Sequence, residues 1–93
     1  MMIKEKNSNP NALVLRFMRE KRKLTLLTVG KKIGIRPKII DHIENGHNFL
    51  TDKEIQVFLE CYNFSFEIFS EMTQLKPLNK KAVNIYFLSR KIF

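Results

Sequence analysis

Residues 25–46 read TLLTVGKKIGIRPKIIDHIENG, and this stretch decides the fold. Thr25 is a candidate N-cap, a residue whose hydroxyl accepts from a free backbone N–H at a helix start. A full capping box would place Glu or Gln at position 28, but Thr28 stands there, so half the motif is present. Leu26, Val29, Gly30 and Ile33 share one helical face, and Gly30 suits close approach of a neighbouring helix. Gly34 supplies the positive φ of a sharp turn. Arg36-Pro37 then opens another helix. Proline is favoured at the first helical position and pushes the residue before it into the extended conformation of a cap. Ile40 and Ile43 are one helical step apart and read as core, while Lys38, Asp41, His42 and Asn45 lie on other faces. Gly46 ends the helix.

The flanking sequence supplies what those two helices need in order to bury their inner faces. Residues 1–11 are polar and read as a flexible arm closed by Pro10, with Lys4 and Lys6 able to lie along a phosphate backbone. Ala12 to Arg22 reads as a helix with Val14, Leu15, Phe17 and Met18 at helical spacing, and Lys23 stands where a left-handed residue is needed. Thr51-Asp52-Lys53-Glu54 is a complete capping box. It opens a helix with the stripe Ile55, Phe58, Leu59 and Tyr62, and Asn63 can close it in a left-handed turn. Ser65 caps a short helix carrying Phe66, Ile68, Phe69 and Met72. After Lys76-Pro77, residues 79–93 are preferred as a helix with Asn79 as cap and Ala82, Ile85, Tyr86, Ser89 and Ile92 in register. The alternation of Val83, Ile85 and Phe87 keeps a strand open there.

Composition sets the class. Ninety-three residues make one domain, and 44% hydrophobic content is enough for a core. The single cysteine, Cys61, excludes an internal disulfide framework and fits a reducing compartment. No apolar run is long enough to span a bilayer, and the first residues lack the apolar stretch of a secretory signal. A cytoplasmic protein with no membrane partner is expected. The net charge of +8 is unevenly spread: residues 1–38 carry +9, residues 39–72 carry −6 and residues 73–93 carry +5. A basic first third beside an acidic middle suits attraction of a polyanion to one side of the molecule; a merely solvated basic surface has the same composition.

Catalytic and metal chemistry find no support. His42 and His47 are five apart, the wrong spacing for two ligands on one helical face, and only one cysteine is present. Asp41, His42 and Glu44 lie on different faces with no serine to pair with them. There is no glycine-rich phosphate loop. Cys61 and the eight phenylalanines read as core. No enzyme, no metal and no cofactor is expected.

Two helices joined by a short turn containing glycine form the helix-turn-helix pattern. At this point the chain resembles the phage-repressor and Cro-type helix-turn-helix family, also called the xenobiotic-response-element type. The resemblance rests on Leu15, Met18 and Arg19, on Leu24-Thr25, on Lys32-Ile33-Gly34-Ile35, and on Ile40 with Ile43-Glu44-Asn45-Gly46. Asn63-Phe64-Ser65, Glu67 and Phe69 complete it, so that it covers residues 12–72.

The resemblance implies an all-α, lambda-repressor-like five-helix bundle; residues 73–93, rich in Ile, Tyr, Phe and Leu, form an extension that either serves dimerisation or partner binding or folds back to complete the chain's own core. It implies a transcriptional regulator, a repressor, that reads double-stranded DNA as a homodimer with helix 36–45 in the major groove. By position it implies base contacts from Arg36, Lys38 and His42. Thr25, Lys31, Asn45 and Asn48 would touch phosphates or the groove rim. Arg19 and Glu44 would form a buried ion pair. Departures are equally clear. Leu26 and Leu27 stand where a DNA-bonding glutamine is common, and one of the two is expected to face out. Pro37 replaces a residue that often reads a base. Asp41 places a negative charge on the reading helix, and Ile39 is apolar on it. These departures keep a second reading in play: a protein-interaction module on the same fold, either the antitoxin of a toxin–antitoxin pair or an adaptor to another regulator with weak or no DNA binding.

Overall fold

The first helix begins at Pro10, two residues earlier than the apolar pattern indicates, with Asn9 as its cap. The Asn9 side chain accepts from the Ala12 N–H at 3.3 Å, and Pro10 takes the first helical position. The computed structural model describes residues 9–93, so the expectation of an extended arm over 1–8, with its Lys4 and Lys6, lies outside the described residues. Residues 9–11, assigned to that arm, are instead the cap and first turn of a helix.

Six helices follow one another: α1 (Pro10–Lys21), α2 (Leu26–Ile33), α3 (Pro37–Glu44), α4 (Asp52–Tyr62), α5 (Phe66–Thr73) and α6 (Lys80–Ser89). No strand occurs among the described residues, and the fold is all-α. The alternation in residues 83–87 therefore does not produce a strand. Asn79 caps α6 by accepting from Ala82 N–H at 2.9 Å, and the segment coils from there. Its inner face also differs from expectation. Val83 and Phe87 are buried while Ile85 and Ser89 point outward, because the helix turns its Val83–Phe87 edge toward α1 and Phe64.

The caps were readable from the sequence. Thr25, Thr51 and Ser65 each accept from the backbone N–H three residues on, and Glu54 returns the bond to Thr51 N–H at 2.9 Å. Lys23 and Asn63 take positive φ, 58° and 60°, where α1 and α4 stop.

Helix α1 is the central element. It packs on α3, α4 and α5, while α2 packs on α3 and α4, and α4 packs on α5. Val14, Leu15 and Met18 from α1 meet Val29, Ile40, Ile43, Ile55, Leu59 and Met72 in one core. Arg22 fastens the end of α1 to the end of α4. Its guanidinium donates to the carbonyls of Tyr62 (2.8 Å) and Asn63 (3.0 Å) and lies 4.1 Å over the Phe64 ring. Those carbonyls close a helix whose last turn has no basic side chain of its own, so Arg22 supplies the positive charge that end favours. Helix α6 closes the far side of α1, with Phe87 stacked on Phe64 at 5.9 Å and Tyr86 bonded to Glu71 at 2.5 Å.

Candidate nucleic-acid interface

The α2–α3 corner is held by Gly30 and Gly34. Gly34 has φ 81°, and the N–H groups of Gly34 and Ile35 both donate to the Gly30 carbonyl, at 2.8 and 3.1 Å. The turn folds back so tightly that a Cβ on Gly30 would lie 2.5 Å from the Ile35 carbonyl oxygen and 3.4 Å from the Pro37 ring. The close approach that Gly30 allows is thus to the turn and to the first residue of α3.

Helix α3 has two sides. Ile40, Ile43 and Glu44 are buried. At about 100° per residue, Lys38, Asp41, His42 and Asn45 project within one outward strip, and all four are exposed. Arg36 is the N-cap in extended conformation (φ −70°, ψ 143°), as the following Pro37 requires, and Asn45 is the C-cap. Arg36 is exposed at the strip's leading end. Ile39 is half-buried against the core rather than bare. Lys38 and Asp41 are one helical turn apart, yet no ion pair joins them among the described residues.

The flanks of the strip come from three places. Thr25 is exposed at the start of α2, its hydroxyl bonded to Thr28. Of the leucine pair, Leu26 packs on the core and Leu27 is 57% exposed. Leu27 and Lys31 border Gly30 and hence the α3 side of α2, whereas Lys32 lies with Val57 and Glu60 on the α4 side. Beyond α3, Asn48 and Phe49 line a crease with Asn9 and Asn11 from the start of α1.

Phe93, 84% exposed, departs from the expectation of a core role for all eight phenylalanines, and so does Phe49, 83% exposed. The available signal was its setting between Asn48 and the Thr51 cap, in a loop too short to fold back. The cysteine expectation also shifts: Cys61 is half-buried beside Lys32 rather than in the core, and burial raises its thiol above the ordinary value against the opposing lysine charge.

One buried contact sets the height of α3. Arg19 Nε donates to Glu44 Oε2 at 2.7 Å and Nη2 to Oε1 at 3.0 Å, and Nη1 donates to the Leu24 carbonyl at 2.7 Å. The hydrogen bond to Glu44 raises the Arg19 pKa further, against burial, which lowers it. A bidentate, dry pair of this kind is directional. It binds α1, the α1–α2 corner and the end of α3 into one unit.

His42 and His47 bring their rings to 5.5 Å, but no group of three or more His, Cys, Asp or Glu side chains is placed to hold a metal ion among the described residues. No helix among the described residues is long and apolar enough to cross a membrane. Protein-family models, curated proteins and solved structures, compared in turn, contain no match to the chain.

Proposed function

We propose that the protein is a sequence-specific double-stranded-DNA-binding regulator of transcription, a repressor of the phage-repressor and Cro type, which lays α3 in the major groove. The observation that carries the reading is the two-sidedness of α3. Ile40, Ile43 and Glu44 anchor the helix, while Arg36, Lys38, Asp41, His42 and Asn45 stand free on its outer strip. Arg36 and Lys38 would donate to guanine acceptors, and Asp41 would accept from a cytosine amine, which turns its charge into a selective element. Thr25, Lys31 and Asn48 would hold phosphates and set the register. A homodimer on a two-fold-related site would supply the second half-contact.

Gel-shift titration against duplex from upstream of its own gene, over a rising salt series, tests this. Affinity should fall steeply with salt while a preference over scrambled duplex survives. Absence of binding at low salt overturns the reading. A second reading, a protein-interaction module such as an antitoxin or an adaptor, is favoured by one specific observation: Leu27 on α2 and Phe49 in the loop after α3 are both exposed.

A further inference from the structure

The cleft between α1 and α6 lies on the opposite side of α1 from the Arg19–Glu44 pair. At about 100° per residue, Phe17 and Lys21 project roughly opposite Arg19. The cleft has a volume of about 230 Å³, an apolar floor of Phe17, Val83 and Phe87, and a rim that includes Lys21, Lys23 and Lys80. Among the described residues none of these three lysines pairs with a carboxylate, and Glu20 at the rim faces Arg16 at 3.4 Å. The surface continues outward along α6 through Asn84 to Leu88, one turn further on and 63% exposed. Lys81 shares the outward side of α6 with Leu88, and residues 73–93 contain no acid at all.

We propose that this cleft and the outer strip of α6 form a docking surface for an acidic amphipathic helix of another protein, with an apolar anchor side chain seated on Phe17, Val83 and Phe87 and carboxylates facing Lys21, Lys23 and Lys80. The inference goes beyond DNA binding and holds whether or not α3 reads DNA. Charge complementarity selects the occupant. Unpaired lysines around an apolar floor favour carboxylates at the rim and a desolvated apolar group at the centre. A second α6 is disfavoured, since two acid-free basic segments would face each other. A nucleic acid would leave Leu88 and the floor uncovered. A small ligand would sit in a space below the usual range of about 300–1,000 Å³ and leave the outer strip bare.

The test uses the full chain and a short synthetic helical peptide with a Leu/Phe stripe on a Glu face. Amide shifts of Lys80, Asn84 and Leu88 are followed by NMR, with binding to duplex DNA measured in parallel. Saturable binding that moves these amides is expected, and it should weaken at least about tenfold in Lys21→Ser/Lys80→Ser and in Leu88→Ser. Lys21 also lies over the Phe87 ring at 5.3 Å, so the exposed Leu88→Ser variant keeps the test valid if the lysine variant melts early. No binding at millimolar peptide overturns the proposal. So do wild-type affinity in both variants, equal binding of an all-Glu peptide without the stripe, and a preference for anionic phosphatidylserine vesicles over the peptide.

Discussion

Arg19 holds Glu44 with two parallel bonds, 2.7 and 3.0 Å, across the core from α1 to the last residue of α3. The side chains are 13% and 4% exposed, so neither charge has water to fall back on. Removing one partner strands the other, at a cost of about 3–5 kcal/mol. Glu44→Ala should therefore lower the melting temperature sharply, well before any change in what the protein binds. Glu44→Gln keeps the shape and one acceptor and should lose less. A thermal melt of Glu44→Ala that overlays the wild type would remove the pair from its structural role.

Gly30→Ala tests the corner. Alanine is the better helix former by about 1 kcal/mol, so an open site would gain stability. Here the added Cβ meets the Ile35 carbonyl oxygen at 2.5 Å, and a backbone atom in a two-bond turn yields poorly. Overpacking of this kind costs about 1–3 kcal/mol. Urea unfolding should show a net loss, and a net gain would mean that the turn is looser than described.

The two tyrosines make the protein sensitive to alkali. Burial, and then the bond to Glu71, pushes the Tyr86 hydroxyl up to about 12. Burial raises Tyr62 as well, and its hydroxyl has no hydrogen-bond partner in the structure. A raised pKa means that the folded state holds the proton more tightly than the unfolded chain. The linked stability is present below the ordinary tyrosine pKa of 10.0 and is lost as pH climbs toward about 12. Denaturation midpoints should fall across that window, and less so in Tyr86→Phe. At neutral pH, Tyr62→Phe should be neutral or stabilising by about 1 kcal/mol, because it removes an unmet buried donor. A loss above that would reveal a partner for the hydroxyl.

The local signals in the sequence were strong wherever one residue type has one physical use. The Thr51–Glu54 box, the Asn63 and Lys23 left-handed stops, Gly34 at the turn and Pro37 at the helix start all stand where the pattern placed them. Orientation about an axis was harder to read. In α6 six of the ten positions are apolar or aromatic and they fall on every side of the helix, so periodicity alone could not choose between the Ile85 edge and the Val83–Phe87 edge. Contact with Phe64, Lys21 and Glu71 decided it.

The candidate site divides the same way. The outward strip of α3 follows from the buried pair Ile40 and Ile43. The exposure of Leu27 follows from the inner face that Leu26, Val29 and Ile33 share, and that of Phe49 from its place in the short loop before the Thr51 cap. The cleft between α1 and α6 joins residues far apart in the chain and leaves no trace in either segment alone.

The central claim, that the outer strip of α3 reads DNA, is tested most directly by comparing Lys38→Ala with Lys31→Ala. Both lysines are exposed, but Lys38 lies on the strip and Lys31 on its flank. Affinities are measured for duplex from upstream of the gene, for single-base variants of it and for scrambled duplex, each across a salt series. Lys38→Ala should cost about 1–3 kcal/mol on the preferred duplex and relax preference at one position. Lys31→Ala should weaken every duplex alike and reduce the salt slope by about one. Identical effects of the two substitutions on all sequences, or no binding by the wild type at low salt, would contradict the account.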